Sequence, residues 1–398
     1  MKLLYTLTSY LPAIGGAQLH HHYIATHLAP RHQIQVVAQW DTHRTDWLLG
    51  TTLRAPEAES DYSFQGIPVH RIGLSLREKV GLVAPVLFYY PLMDMAAWTI
   101  GRVVEKHLEP WAQGAALVHN TRIGREPMTC ASLQLARHHD IPFVLTPVHH
   151  PRWRGWRYRV YLDLYRSADA LLALTHAEKS LLAGLGVDER RIHVVGMGPI
   201  LADRADPERF RRKHGISGPA ILFLGQHFPY KGYRQVLEAA RPVWSKVPEA
   251  CFLFVGPAVG RSEAVFASFA DPRVKRLGVL SLQEKTDALA TCQVLCVPST
   301  QESFGGVYVE AWSLGKPVVG CPIPAVSEVV THARDGLLVR QEAGPISEAL
   351  CDILLNPTLA GQMGDAGREK VRTRYNWDHT ARAAETAYQA VLAGRSGS

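Results

Sequence analysis

Short apolar runs alternate with stretches of helical periodicity along the whole chain. Runs of about four to eight apolar residues bounded by Gly, Pro and polar clusters read as buried strands. Apolar positions recurring every three or four residues read as helices. In the first half this pattern predicts strands at 2–9, 33–39, 67–72, 116–120, 142–149, 170–175 and 192–196, with helices at 17–29, 127–138 and 177–184. The alternation breaks in GMGPILADRADPE, at 196–207. A second series follows, with strands at 220–225, 250–255, 274–279, 294–298, 317–320 and 336–339 and helices at 345–355 and 358–373. The segment 377–394 reads as a last amphipathic helix. Strands alternating with helices imply parallel sheets covered on both faces, an α/β fold. The predicted domains are 1–200 and 201–375, followed by a terminal helical segment, 376–398.

Length agrees, since 398 residues exceed one ordinary core and fit two domains of roughly 200. A hydrophobic content of 47% and a charged content of 20% describe a globular chain. The net charge of +7 suits anionic ligands or an anionic lipid surface. It forms no polybasic tail and no nucleic-acid motif accompanies it, which argues against a nucleic-acid partner. The six cysteines are scattered without a CxxC pair, as expected of buried thiols in a reducing, cytoplasmic setting. MKLLYTLTSYLP runs into a glycine loop and reads as the first core strand rather than a signal peptide. His20, His21 and His22 are consecutive, so on a helix they point in three directions and do not make a metal site. No metal and no resident cofactor are expected.

The densest chemistry lies in ESFGGVYVE, after the apolar run VLCVPS. A strand ends near Ser299, a short loop follows, and two glycines open a helix that extends to Leu314. Unpaired N–H groups in the first helical turn suit an anion, and Gly305 and Gly306 permit its close approach. Glu302 lies in the loop and Glu310 about a turn and a half into the helix, so both carboxylates can reach one ligand. Ionised carboxylates only accept hydrogen bonds, which matches a ligand rich in hydroxyls. An ordinary strand–loop–helix unit with two solvated glutamates is the competing reading.

This pattern resembles the E-x7-E motif of the retaining GT-B glycosyltransferases of sequence family 4, in spacing and in the flanking string VPST..ESFGGVYVEAWSLGKPVVG. The resemblance implies two Rossmann-like domains facing a central cleft, with the last helix crossing back to the first domain. It also implies a nucleotide-diphosphate sugar as donor substrate. Glu302 would meet hydroxyls of the transferred sugar and Glu310 the ribose, while Ser303, Phe304, Gly305, Gly306 and Val307 would line the donor. Further segments agree. In ILFLGQHFPYKGYRQ, Lys231 resembles the family lysine that neutralises the diphosphate, whereas Gln226 stands where the family usually has arginine, and His227 could supply part of that charge. Gly15 and Gly16 resemble the glycine loop of the first domain, and Val279 and Leu280 the backbone that meets the nucleobase. On the acceptor side, His119 in ALVHNTRIG matches the first histidine of D-x-V-H-x-H, Thr121 replaces the second, and His149 or His150 in TPVHHP resembles a histidine at the cleft mouth.

Two segments remain. HHPRWRGWRYRV interleaves Arg152, Arg154, Arg157 and Arg159 with Trp153, Trp156 and Tyr158. This suits an anionic headgroup layer or an anionic or lipid-linked acceptor, but a solvated helix start with some core aromatics is the favoured reading. VGLVAPVLFYYPLM, at 80–93, is too short to span a bilayer and is interrupted by Pro85 and Pro91, so it reads as core or as a lid on the acceptor side. The function implied is a cytoplasmic, metal-independent, retaining, hexosyltransferase-like enzyme. Its acceptor would be a saccharide, a lipid-linked molecule or a small molecule, and it would contact the inner face of a membrane peripherally. Another GT-B enzyme, such as a nucleotide-sugar epimerase, and a non-catalytic sugar-nucleotide-binding subunit stay open.

Overall fold

The computed structural model describes residues 1–13, 15–40, 47–122, 124–149, 153 and 155–396. His150, Arg152 and Arg154 lie outside the described residues. The chain forms two compact α/β units: Met1–Gly196 together with the last helix, Trp377–Ser396, and Met197–Asn376.

The first unit is built on eight strands: β1 (Lys2–Ser9), β2 (Gln33–Trp40), β3 (Ser60–Phe64), β4 (Ile67–Arg71), β5 (Leu117–Thr121), β6 (Phe143–Thr146), β7 (Ala170–Ala173) and β8 (Ile192–Val194). Their order is β3-β4-β2-β1-β5-β6-β7-β8. All neighbours are parallel except β3 and β4, which form an antiparallel hairpin. Gln65 and Gly66 turn that hairpin with φ of 47° and 80°, the positive pair that a two-residue turn requires. The sequence pattern did not predict β3. Its residues alternate between half-buried and exposed, and none is fully covered, as befits an edge strand.

The second unit holds β9 (Ala220–Leu224), β10 (Cys251–Val255), β11 (Val274–Gly278), β12 (Val294–Cys296), β13 (Val318–Gly320) and β14 (Gly336–Leu338), all parallel, in the order β11-β10-β9-β12-β13-β14. β9 and β10 are buried at every position, which is why they read as continuous apolar runs. From β9 the chain builds outward to β11, then returns to the other side of β9 with β12. The strand order therefore reverses between β9 and β12, and ligands of such sheets bind beyond the strand C-termini at that reversal.

The last helix is fixed to the first unit by polar and aromatic contacts. Tyr388 Oη lies 2.8 Å from Tyr5 Oη and 2.8 Å from His119 Nδ1. Glu385 takes hydrogen bonds from Arg31 and His32, and Trp377 stacks on Tyr23 with ring centroids 4.8 Å apart.

One segment divides between core and surface. Residues 80–93, read as core or lid, cover the end of one helix, Leu76–Leu87, a turn at 88–92 and the first residue of a second helix, Met93–Ala112. Ser75 and Glu78 form a capping box that starts the first of these. Only part of this segment enters the core: Leu82, Tyr89 and Met93 are buried, whereas Val80, Val83, Leu87 and Phe88 are exposed.

Candidate functional site

The sheet reversal in the second unit brings two loops together. After β9 the chain passes through Gln226–Phe228 into a short turn, Pro229–Lys231. Gly232 follows with φ of 82°, and a Cβ there would stand 2.7 Å from Pro298 Cγ, so the loop after β9 packs directly on the loop after β12. This places Lys231 beside Glu302, and its Nζ donates to Glu302 Oε1 at 2.5 Å. The pair is mostly covered, with side chains 20% and 11% exposed.

The loop after β12 ends at Gly305, with φ of 88°, where a Cβ would stand 2.5 Å from the Tyr308 ring. Tyr308 is fully buried and donates to Val297 O at 2.6 Å, which ties the helix Gly306–Ser313 to the end of β12. No side chain caps that helix, so the amides at Gly306 and Val307 stay open to a ligand. Ser303 is half-buried in the same loop. Phe304 is buried and packs edge-on against Tyr375 at 5.3 Å, so only its backbone can serve a ligand.

Glu310, on the second turn of this helix, is buried. Its Oε1 accepts a 2.7 Å hydrogen bond from Lys285 Nζ, which also donates to Ile200 O at 2.6 Å. Glu310 Oε2 has no partner among the described residues. Burial pushes the Glu310 carboxyl above its usual range, and Lys285 and the Ile200 backbone oppose that shift. A buried carboxylate oxygen without a close donor has hydrogen-bonding capacity to spare for a ligand hydroxyl. No motif pointed to Lys285. It lies one turn into the helix Leu282–Thr291, whose start is set by the Ser281–Glu284 capping box. Val279 and Leu280 form the link from β11 into that helix, and Val279 is largely exposed.

Gln226 is exposed on the loop after β9. One expectation in that loop changes. His227 supplies no charge: it is buried among the rings of Phe223, Tyr233, Phe254 and Phe266, and burial holds it below its usual pKa, in the neutral form.

In the first unit, the acceptor-side candidates spend their polar atoms inside the fold. His119 is fully buried, with Nε2 2.8 Å from Thr146 Oγ1 and Nδ1 on Tyr388. Burial lowers its pKa to about 3. Thr121 Oγ1 is 2.6 Å from His21 Nδ1. His149 is buried, 3.2 Å from Tyr165 Oη, and its amide donates to Glu178. His20, His21 and His22 are all buried, on Gly196 O, Thr121, and Tyr10 with Gln65 respectively. Gly16 opens the helix Gly16–Leu28 with clear space where a Cβ would stand. Trp153, read as one of a lipid-facing series, instead covers Arg122. That buried guanidinium lies between the Trp153 and Tyr161 rings at 4.0 and 4.4 Å and donates to Pro147 O.

Two family models match the chain: the glycosyl transferase 4-like domain over residues 15–198 and glycosyl transferases group 1 over residues 218–356. A D-inositol 3-phosphate glycosyltransferase of Gordonia bronchialis is 28% identical over 323 residues, 76% of this chain and 67% of that protein. A GDP-mannose-dependent monoacylated alpha-(1-6)-phosphatidylinositol monomannoside mannosyltransferase of Corynebacterium glutamicum is 29% identical over 185 residues, 44% of this chain and 48% of that protein. The chain thus matches about half the length of several of these relatives. Among solved structures, Anabaena HepE in complex with UDP and glucose superposes with a TM-score of 0.75 at 18% identity, over 98% of this chain and all (100%) of that one. WaaG, a glycosyltransferase involved in lipopolysaccharide biosynthesis, gives 0.67 at 18% identity over 97% and 99%. Two parallel-sheet units of this topology, matched along most of their length by both models, make this chain a member of the group 1, family 4 glycosyltransferases of GT-B fold.

Proposed function

We propose that the protein transfers a hexosyl group from a nucleoside-diphosphate sugar to an acceptor hydroxyl, with retention at the anomeric carbon. The observation that carries this reading is Glu310: a buried carboxylate with one oxygen held by Lys285 and the other without a partner, one helical turn from the open amides of Gly306 and Val307. The free oxygen would accept from ribose hydroxyls. The amides and Lys231 would take the diphosphate.

The Lys231–Glu302 pair divides the remaining work. Lys231, paired with Glu302, would supply the positive charge that a departing diphosphate needs, and Glu302 would meet the transferred sugar. In the reaction the bond from the anomeric carbon to phosphate oxygen breaks and the nucleoside diphosphate leaves with the electron pair. The acceptor oxygen bonds to the same face of the sugar, and its proton passes to an oxygen of the leaving diphosphate. The likeness to HepE, solved with UDP and with UDP-glucose, supports a uridine donor, and the likeness to the GDP-mannose-dependent enzyme supports a guanosine one. Both would produce glycans, glycolipids or other glycoconjugates.

The test is turnover with UDP-, GDP- and ADP-sugars, with and without EDTA, over a panel of saccharide, inositol and lipid acceptors. Release of nucleoside diphosphate with a glycosylated product of unchanged anomeric configuration, insensitive to EDTA, is expected. Donor binding without any transfer or hydrolysis would overturn it.

A further inference from the structure

Residues 76–95 present an apolar face that the fold leaves uncovered. In the helix Leu76–Leu87, Leu76, Val80, Val83 and Leu87 fall at offsets of 0, 4, 7 and 11. At about 100° per residue they share an arc of about 60°. The helix already has its inward side, where Leu82 is buried. The stripe is therefore a second apolar face, with Leu76 68%, Val80 65% and Leu87 71% exposed. The turn that follows adds Phe88 and Leu92, and Met95 begins the next helix 60% exposed. A contiguous face of this kind marks an interaction surface.

Its rim is basic and aromatic. Arg125 and Arg157 both approach the Tyr90 ring, each with its guanidinium carbon 5.6 Å from the centroid, and Arg125 donates to Tyr90 Oη at 2.8 Å. Trp156 is exposed beside them and carries Arg159 over its ring at 4.9 Å. Of the nearby acids, Asp94 is bound to Arg159, Glu57 to Lys79 and Glu78 to His107, and Glu126 is buried against Tyr89, which leaves Arg125 and Arg157 as a positive excess on the Tyr90 side of the rim.

We propose that this face docks on an anionic lipid surface, with the Leu76–Leu87 stripe and Phe88 entering the headgroup layer and Arg125 and Arg157 meeting lipid phosphates. Charge complementarity selects this occupant. A second copy would bring its own basic rim against this one, which is unfavourable across a two-fold interface. Apolar insertion combined with basic residues is what attachment without a spanning helix requires, and among the described residues no helix is long and apolar enough to cross a membrane. The inference stands apart from the sugar chemistry.

The experiment is co-sedimentation with phosphatidylcholine vesicles and with phosphatidylglycerol-containing vesicles, at low and high salt. The intact protein should bind only the anionic vesicles, and less at high salt. Val80→Glu with Leu87→Glu should lower the partition coefficient at least about tenfold, with the thermal midpoint unchanged because both side chains are exposed. Arg125→Gln with Arg157→Gln should lower it and flatten its salt dependence. Absence of binding to anionic vesicles at low salt overturns the proposal. So does full binding by the Val80→Glu, Leu87→Glu protein, or a dimer in sedimentation velocity that those substitutions dissociate.

Discussion

Lys285 and Glu310 are 25 residues apart in sequence and share a 2.7 Å hydrogen bond. The lysine is anchored in turn by Ile200 O, at 2.6 Å. One oxygen of a buried carboxylate is thereby fixed and its charge compensated, while the other stays available. Removing Lys285 takes away the larger influence that opposes burial, leaves only the Ile200 backbone against it, and pushes the Glu310 carboxyl higher. Lys285→Met should weaken UDP or GDP binding roughly 10- to 100-fold near neutral pH. Because a protonated Glu310 regains its charge as pH rises, affinity in the variant should recover toward alkaline pH. Titration calorimetry at several pH values checks this; an unchanged dissociation constant, or a loss independent of pH, would remove Lys285 as the group that positions Glu310.

Glu302→Gln keeps the shape of the side chain and a hydrogen-bonding oxygen but removes the charge beside the transferred sugar. Turnover should fall by about two orders of magnitude while affinity for free nucleoside diphosphate changes less than about threefold. Equal losses in both would place Glu302 on the nucleotide instead.

His119 predicts an acid sensitivity of the fold. Burial lowers its pKa from 6.5 to about 3, and Thr146 and Tyr388 bond its two nitrogens. The unfolded chain takes up a proton below about pH 6.5 and the folded chain does not. Stability on account of this group is thus present above that pH and lost as pH falls toward the folded value, at about 1.4 kcal/mol per pH unit. His119→Asn is destabilised at neutral pH, yet it should lose less stability than the parent between pH 6 and about 4. Denaturant titrations at both pH values decide the matter, and identical losses would contradict it.

Strands buried on both faces were legible in the sequence because burial there is nearly uniform, as in β9 and β10. The ESFGGVYVE unit was legible for a related reason: strand end, glycine turn and helix start are all local. Where a second element decides the outcome, reading failed. The apolar stretch at 80–93 advertised its hydrophobicity but not which side of its helix the core would cover. Trp153 stands amid arginines in sequence, yet it covers Arg122, and His227 is enclosed by rings from separate elements. Lys285 carries no motif at all; its place depends on Ile200 and Glu310 meeting the helix Leu282–Thr291.

The central claim is that the free oxygen of Glu310 receives ribose hydroxyls, and a binding cycle tests it most directly. UDP and GDP, each with its 2′,3′-dideoxy analogue, are titrated into the parent and into Glu310→Ala. The parent should prefer the better ribonucleotide over its analogue by roughly 1.5–3 kcal/mol, and the variant should bind the two alike. A folded Glu310→Ala protein that keeps the parent's preference for the ribose hydroxyls would contradict the account.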